Sequence, residues 1–466
     1  MQILPSYRAS AGQAGLELAP FRGVRYAPEL VSGLAQVTSP PYDVIYRGKQ
    51  DQLMAEDPHN VVRLILPQPD PGRPGEEYRD AALLLRRWLE ERVLVADPEP
   101  ALYVYEQGPA GGQDGDGADH DPAGPGDRTG SALNGVQRGL IGALRLADPA
   151  DRVVLPHEDV SPGPVAGRLS LMEATQANLE PIFLLYDGSP AGRAEAGAAG
   201  RVIAAAVARQ PLVDARTNDG LRHRLWAITS PADLAAIAAD LAPRQALIAD
   251  GHHRYAAYRQ LQRRRHEAGQ GPGPWDYGLA LLVDSASYPP HIGAIHRVVP
   301  GLEVRRAAKL AATAFTVRAL PGGSADVRAA VAELDHESAH GPAFVLAGAE
   351  RAYLISRPDP EQVEAAMPEQ ASAPWRALPA AILQELLITR VWGLTDDECS
   401  VRVVHHDAGA AVAVAREAGG TAVLCSAMSP GDVYAVASRG ERVPRKSTSF
   451  APKPRTGLVL RTFAHG

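Results

Sequence analysis

The chain alternates between segments with helical spacing of apolar residues and short strand-like apolar runs. The segments with the spacing of amphipathic helices are 81–92, 202–209, 231–241 and 255–266. The apolar runs typical of buried strands are 101–105, 140–144, 181–186 and 246–249. This alternation predicts an α/β fold with mixed sheets.

Two stretches interrupt the alternation and are predicted to be flexible insertions. Residues 108–135 and 187–200 are rich in Gly and Ala and hold almost no large apolar side chain. Such segments bury too little surface to offset the entropy cost of ordering them. Because the first stretch lies between two strand-like runs, we expect neighbouring strands joined by a long loop.

The alternation begins again after residue 300. The strand-like runs there are 343–346, 352–355, 400–404, 421–425 and 458–462, and the helical segments are 379–393, 408–418 and 431–438. We therefore expect a flexible tail over 1–19, an N-terminal region over 20–300 and a C-terminal α/β domain over 301–466.

Charge and composition narrow the classes of partner. The 466 residues carry a formal net charge of -7, which disfavours nucleic acid, because proteins that grip its phosphates usually have a basic surplus. The two cysteines, Cys399 and Cys425, are too few for a disulfide framework or a thiolate zinc site. The first residues lack the basic head and apolar core of a signal peptide, and no run approaches the roughly 18 apolar residues of a membrane span. We expect a cytoplasmic protein without a membrane partner.

The hexapeptide DGHHRY, which follows a strand-like run and precedes a helical segment, holds the most distinctive chemistry. Backbone N–H groups and the helix dipole favour anions at such a turn. Gly251 permits close approach of the backbone, and His252, His253 and Arg254 can donate several hydrogen bonds to phosphoryl oxygens. Asp250 suits a magnesium ion or the orientation of a histidine. The pattern predicts an anion-handling or phosphate-handling turn.

A second candidate segment is the strand-like run that ends at Pro156. It is followed by His157, Glu158 and Asp159. Glu158 is a candidate general base that His157 could tune. A solvated loop fits the same residues.

Two further segments offer polar groups. The rigid Pro-Pro-Tyr-Asp stretch could place Tyr42 or Asp43 at a pocket, with Arg22 shortly before it, although a structural corner fits equally well. Near the C-terminus, a basic, hydroxyl-rich loop suits phosphate binding through Lys446, Ser447, Thr448 and Lys453. It lacks the glycines of a Walker A loop, and an exposed basic loop is an equal alternative.

Several of these motifs, in this order, resemble domain-of-unknown-function family 1015. The motifs are FRGVRY at 21–26, PPYDVI at 40–45, NVVRL at 60–64, LPHE at 155–158, IADGHHRY at 248–255 and KST at 446–448. The DGHHR segment also resembles the phosphate-binding motif of the ParB/sulfiredoxin-like superfamily, which includes free serine kinases. The resemblance implies a ParB-like catalytic core within 20–300, with an N-terminal elaboration.

The resemblance further implies an enzyme, a small-molecule phosphotransferase that makes O-phosphoserine from L-serine with pyrophosphate or a nucleotide as donor. On this hypothesis Glu158 is the base with His157 beside it, Asp250 holds Mg²⁺, and Arg22, Tyr42 and Asp43 line the acceptor side. The residues that would contact the donor phosphates are Gly251, His252, His253, Arg254, Lys446, Ser447, Thr448 and Lys453. Two alternatives are a ParB-like regulator that binds nucleotide or nucleic acid without turnover, and a metal-assisted phosphate-ester hydrolase.

Overall fold

The computed structural model describes residues 15–465 with gaps at 71, 74, 111–134, 190–196, 396 and 398–399. Its described residues form two compact units. The first unit comprises the described parts of Ile3–Pro289 and Pro452–Gly466, and the second unit comprises those of Pro290–Ala451. Both units mix helices with sheets, so the predicted α/β class is confirmed.

The described strands in chain order are β1 Leu18–Ala19, β2 Val24–Tyr26, β3 Leu94–Ala96, β4 Leu102–Pro109, β5 Gln137–Arg145, β6 Val154–Leu155, β7 Ala177–Asn178, β8 Ile182–Tyr186, β9 Val213–Arg216, β10 Leu221–Ile228, β11 Ala246–Asp250, β12 Tyr277–Asp284, β13 His291–Ile292, β14 Ile295–Val299, β15 Thr316–Ala319, β16 Ala343–Ala347, β17 Ala352–Ser356, β18 Arg402–His405, β19 Thr421–Cys425, β20 Phe450–Ala451 and β21 Arg461–Thr462.

The described α-helices are α1 Leu34–Val37, α2 Arg47–Glu56, α3 Val62–Ile65, α4 Glu77–Glu90, α5 Pro162–Thr175, α6 Ala198–Val207, α7 Pro231–Leu241, α8 His252–Glu267, α9 Val304–Ala311, α10 Val327–Ser338, α11 Pro360–Ala366, α12 Ala373–Arg376, α13 Pro379–Ala381, α14 Ala408–Glu417 and α15 Pro430–Ala437.

A mixed sheet forms the centre of the first unit. Its strands follow the order β6-β11-β8-β12-β5-β4-β10-β9, and β1 pairs with β5. The pairs β6–β11 and β8–β12 are parallel, and the other neighbours are antiparallel. The central strands are apolar on both faces because helices cover the sheet; for example, Leu184 and Leu282 are 0 % exposed.

A smaller core in the same unit surrounds α4. This helix places Ala81, Leu85 and Trp88 on one buried face, the spacing of an amphipathic helix. These side chains pack with residues from β2 and α3, and with Leu460 near the C-terminus. The buried face of α4 thus links the N-terminal elements to the end of the chain.

The C-terminal residues belong to the first unit and not to the second. Leu460 bridges to Val24, Thr456 bridges to Ser39, and β21 pairs with β7. The sequence predicted one C-terminal domain over 301–466, whereas the described residues from 452 onward pair with the first unit. These pairings join residues far apart in sequence, so local apolar spacing contains no signal for them.

The second unit contains an antiparallel sheet with the order β15-β17-β16-β19-β14-β18. The predicted strands at 343–346 and 352–355 are confirmed as the antiparallel pair β16 and β17. The helices α10 and α14 contribute Leu334 and Val412 to its core. The segment 379–393, predicted to be one α-helix, instead begins as α13 and continues as a π-helix over Ile382–Val391.

The predicted tail and insertions differ from the structure at their edges. Leu16 is buried and Leu18–Ala19 forms β1, so the end of the predicted tail 1–19 is packed against the sheet. The strands β4 and β5 pair antiparallel, as the sequence predicted for the runs on either side of the first insertion. Most of that insertion (111–134) and part of the second (190–196) lie outside the described residues, and α6 already begins at Ala198.

In the described part of the chain, no helix is both long enough and apolar enough to span a membrane.

Replacing Leu184 by Ala should lower the unfolding free energy by about 2–5 kcal/mol, because β8 lies between β11 and β12 and the cavity cannot collapse easily. Urea unfolding measures this difference. The matched control is Leu83→Ala on the exposed face of α4, where Leu83 is 46 % exposed and a change within about 0.5 kcal/mol is expected. Equal unfolding free energies for the two variants would contradict the assignment of the sheet core.

Candidate functional site

The turn from β11 into α8 forms the centre of the candidate site. The strand β11 ends at the buried Asp250, and α8 begins at His252. Gly251 between them has a φ of 94°, and a Cβ there would lie 2.9 Å from Cγ2 of Ile182. Both the positive φ and the close approach favour glycine. The sequence predicted this turn, but placed the start of the helix at residue 255, after the histidines.

The carboxylate of Asp250 lies between two cations. Nζ of Lys453 is 2.5 Å from Oδ1, and Nη2 of Arg254 donates to Oδ2 at 2.5 Å. Burial opposes ionisation of Asp250, but the charges of Lys453 and Arg254 hold its pKa well below the ordinary value. Lys453 also donates to Oδ2 of Asp43 at 2.5 Å. Although burial acts in the opposite direction, Asp250 and Asp43 raise the pKa of Lys453 above its ordinary value.

Arg254 links the carboxylates of Asp250 and Asp43 to a third one, that of Glu180. Its Nη1 donates to the carbonyl of Pro181 at 2.7 Å, and its guanidinium faces the ring of Tyr42 at 5.7 Å. Glu180, the residue before Pro181, accepts from the Tyr42 N–H at 3.0 Å. Burial raises the pKa of Glu180, although the charges of Arg254 and Arg168 act against this shift.

The resulting arrangement, which we call the charge network, alternates acidic and basic side chains. In order they are Asp43, Lys453, Asp250, Arg254, Glu180 and Arg168. Buried ionic groups persist only when opposite charges and hydrogen bonds compensate their desolvation. The network therefore fixes the Asp250 turn, the Tyr42 segment and the C-terminal residues around Lys453 relative to one another.

The loop after β6 lies along the first turn of α8. The backbone N–H of His157 donates to Nε2 of His252 at 3.2 Å, and the two rings are 4.5 Å apart and nearly perpendicular. The Ser161 N–H donates to Nε2 of His253 at 3.1 Å. Because β6 and β11 are parallel neighbours, their carboxyl ends meet at one edge of the sheet. Glu158, half-buried, is the next residue of this loop.

The predicted site residues divide into three groups. The structure brings together Tyr42, Asp43, Asp250, Gly251, Arg254 and Lys453, with His157, Glu158, His252 and His253 at the same turn. Arg22 lies elsewhere in the first unit, where its Nε donates to the carbonyl of Asp97 at 2.9 Å.

Lys446, Ser447 and Thr448 form a separate group, because they belong to the second unit. There the carbonyl of Lys446 accepts from Nη1 of Arg297 at 3.0 Å, and Oγ of Ser447 donates to the carbonyl of Pro444 at 2.6 Å. Contact of these residues with a donor phosphate stays a prediction. Lys453 was expected to act from the C-terminal domain but lies in the first unit, since the chain re-enters that unit at Pro452.

Sequence reasoning missed Glu180, Arg168 and Thr456. Glu180 accepts from Oγ1 of Thr456 at 3.3 Å, and Nη1 of Arg168 is 3.8 Å from Oε2 of Glu180. The available signal was a glutamate directly before a buried apolar strand, a position where a charge needs a partner. The identity of that partner depends on contacts between distant segments.

The family described as "Protein of unknown function (DUF1015)" matches residues 18–117 and 128–381. The chain belongs to the DUF1015 family. No curated protein matches it.

Three solved structures are similar to this DUF1015 protein at low identity. A free serine kinase variant in complex with ADP is 14% identical, with 68% of this chain and 90% of that chain covered and a TM-score of 0.33. SbnI with a C-terminal truncation, from Staphylococcus aureus, is 11% identical, with 68% and 84% covered and a TM-score of 0.32. A conserved hypothetical protein from Pyrococcus furiosus is 13% identical, with 67% and 90% covered and a TM-score of 0.31.

The contacts of Asp250 in this DUF1015 protein do not fit a magnesium ion. Lys453 and Arg254 already neutralise one carboxylate oxygen each, and Lys453 also neutralises Asp43. Magnesium ions usually bind one or two carboxylates together with waters and substrate phosphates, so an ion at Asp250 would have to displace the Lys453 ammonium. Within the described residues, no group of three or more His, Cys, Asp or Glu side chains could hold a metal ion. Binding of Mg²⁺ by Asp250 stays a prediction, and no step below depends on it.

Replacing Lys453 by Met should lower the unfolding free energy by about 3 kcal/mol at pH 7, because it leaves Asp250 buried with one of its two cations removed. The folded pKa of Asp250 is lowered, so its contribution is full above the ordinary carboxyl pKa of about 4 and declines as the pH falls further. The folded pKa of Lys453 is raised, so its contribution is lost only above the ordinary lysine pKa of about 10.

Urea unfolding at pH 7 and pH 3 measures this effect. The difference between the wild type and Lys453→Met should be clearly smaller at pH 3. The control Lys49→Met removes a cation from α2 and should cost less than about 0.5 kcal/mol at either pH. A loss for Lys453→Met that is the same at both pH values would show that the ion pair with Asp250 is not its cause.

Proposed function

We propose that this protein transfers a phosphoryl group to the hydroxyl of a small amino acid, with L-serine as acceptor and pyrophosphate or a nucleotide as donor. The observation that carries the proposal is the meeting of the Glu158 loop with His252 and His253 at the N-terminus of α8. Phosphoryl transfer needs positioning and charge neutralisation more than covalent chemistry, and this edge of the sheet offers groups for both.

The donor phosphates would bind at the first turn of α8. The helix runs over His252–Glu267, long enough for its dipole and first-turn N–H groups to attract an anion at the N-terminal end. His252 and His253 lie in this first turn and would contact the donor phosphates. Lys453 uses two of its three N–H donors on Asp250 and Asp43 and has 22% of its side chain exposed, so its third donor would meet a donor phosphate.

Glu158 would accept the proton of the acceptor hydroxyl. It lies on the loop that contacts His252 through His157 and is half-buried, so a small molecule at the turn could reach it. A positioned general base typically contributes about 10²–10⁴-fold to the rate. His157 would fix the loop, since its backbone N–H is bound to the His252 ring.

Arg254 has a positioning role in this proposal, and its contact with the donor phosphates stays a prediction. Both of its terminal nitrogens are already bound, one to Asp250 and one to the carbonyl of Pro181. Its side chain is 4% exposed. Arg254 would keep the Asp250 turn rigid, so that the histidines of α8 stay aimed at one place.

The proposal is tested by incubating the protein with L-serine and, in separate reactions, pyrophosphate, ADP or ATP, each with Mg²⁺ or with EDTA. Mass spectrometry should detect O-phosphoserine with one of these donors. Glu158→Gln should slow product formation by about 100-fold or more, because it removes the base and keeps the shape. The control Glu173→Gln removes an exposed carboxylate on α5, which pairs with Arg264 of α8, and should retain the wild-type rate.

The other candidate functions give different results in the same assay. A phosphate-ester hydrolase would release free phosphate from an ester without L-serine, and a regulator would bind a nucleotide without forming product. Absence of O-phosphoserine with every donor, or an unchanged rate for Glu158→Gln, would contradict the proposed kinase or the role of its base, respectively.

A further inference from the structure

We infer that Tyr105 and Gln107, two buried residues of β4, are positioning residues for Lys453. They hold the backbone on either side of Lys453, so that its ammonium group reaches Asp250, Asp43 and a phosphate of the phosphoryl donor. Neither residue belongs to the charge network, and both act through the segment 452–455. The part of the inference that concerns the phosphoryl donor rests on the proposed function, whereas the part that concerns Asp250 does not.

The backbone around Lys453 is stiff but has few means of holding itself in place. Pro452 and Pro454 flank Lys453, and neither proline has an N–H group to donate. A residue before a proline is confined largely to extended conformations, so this segment does not form a helical turn of its own. Its position therefore depends on contacts with other parts of the first unit.

The strand β4 contacts this segment at two points, one on each side of Lys453. Nε2 of Gln107 donates to the carbonyl of Pro452 at 3.3 Å. On the other side, the N–H of Arg455 donates to Oη of Tyr105 at 3.2 Å. Tyr105 and Gln107 are two positions apart in a strand, so their side chains project from the same face of the sheet. Together they fix the backbone before and after Lys453.

Tyr105 and Gln107 belong to a row of buried polar side chains that crosses three strands, which we call the polar row. Gln107 lies opposite Gln137 of β5 and His223 of β10, and its Nε2 also donates to Oε1 of Gln137 at 2.9 Å. Oη of Tyr105 lies 2.9 Å from Nδ1 of His223. Nε2 of His223 lies 3.2 Å from Oγ1 of Thr217. Burial keeps His223 neutral, because it lowers the pKa of this imidazole to about 3.

The stability of the sheet alone does not explain the polar row. Buried amide, phenol and imidazole groups are tolerated only when they are hydrogen-bonded. Replacing both partners of such a bond by apolar groups of the same shape can be neutral or even stabilising. The segment 452–455, which bonds to both members of the row on β4, gives a reason for keeping polar groups here.

The reach of Lys453 depends on where its backbone is held. Its Nζ lies 2.5 Å from Oδ1 of Asp250 and 2.5 Å from Oδ2 of Asp43. Charge-assisted hydrogen bonds are short and sensitive to geometry, and a misplacement of about 1 Å can cost about 100-fold in rate. A shift of the backbone would weaken both ion pairs and move the third N–H of Lys453 away from the phosphoryl donor.

The first test is a double-mutant cycle by urea unfolding of the full chain at pH 7, which needs no activity. It combines Lys453→Met with Tyr105→Phe, which removes the hydroxyl and keeps the ring. If Tyr105 positions Lys453, the fold-change in the unfolding equilibrium constant caused by Lys453→Met should be at least about fivefold smaller in the Tyr105→Phe background, because coupled residues are not additive.

The matched control is Tyr103→Phe on the same strand. Tyr103 is also buried. Its hydroxyl accepts from the N–H of Gly23 at 2.8 Å and donates to Oδ2 of Asp97 at 2.6 Å, and neither bond involves the segment 452–455. The effects of Tyr103→Phe and Lys453→Met should therefore be additive within about twofold.

The second test uses the reaction itself. Tyr105→Phe should raise the KM for the phosphoryl donor about fivefold or more and change the KM for L-serine less than about twofold, because the third N–H of Lys453 would meet the donor phosphate. A general loss of folded protein would instead lower the apparent kcat and leave both KM values unchanged, so this split separates positioning from stability. Tyr103→Phe should keep the wild-type KM values.

Additive effects of Tyr105→Phe and Lys453→Met would overturn the inference, and so would an unchanged donor KM in an active Tyr105→Phe enzyme. If Tyr105→Phe does not fold, Gln107→Met, which removes the bond to Pro452, decides by the same readouts. Loss of folding in both variants would assign the polar row to stability alone and overturn the inference as well. If O-phosphoserine never forms, the proposed function fails, and the cycle still decides whether Tyr105 positions Lys453.

Discussion

The ion pair between Lys453 and Asp250 is the interaction on which the rest of the site depends. It keeps the Asp250 carboxylate charged, although burial alone would favour the protonated form. It also fixes a segment near the C-terminus at the end of a central strand. Ionic groups away from water are stable only in complete arrangements. The bond from Arg254 to Asp250 therefore holds Arg254 in a defined position, and with it Tyr42 and Glu180.

The parallel pairing of β6 with β11 gives this fixed turn its chemical surroundings. Two parallel neighbours deliver their following loops to the same edge of the sheet, so the His157–Glu158 loop meets the first turn of α8. The positive φ of Gly251 lets the chain turn sharply enough for the helix to start at His252. Adjacent helical residues point about 100° apart, which explains why His252 contacts His157 and His253 contacts Ser161.

The charge network pairs its buried charges throughout. In the network, every carboxylate has a cation close by, and the result is rigidity. The network also reaches the N-terminal helices, since Nη1 of Arg168 donates to the carbonyl of Ile65 in α3 at 2.6 Å.

The sequence by itself determined the α/β class, the buried strands such as Ile182–Tyr186 and the strand-to-helix turn at Gly251, because apolar spacing and glycine are local signals. It also indicated which polar residues lie at that turn, from Asp250 to His253. Only the tertiary structure decided that Lys453 pairs with Asp250, that Glu180 joins the network, and that residues after Pro452 return to the first unit. These contacts join segments far apart in the chain, and no local pattern specifies which distant charge will neutralise a buried one.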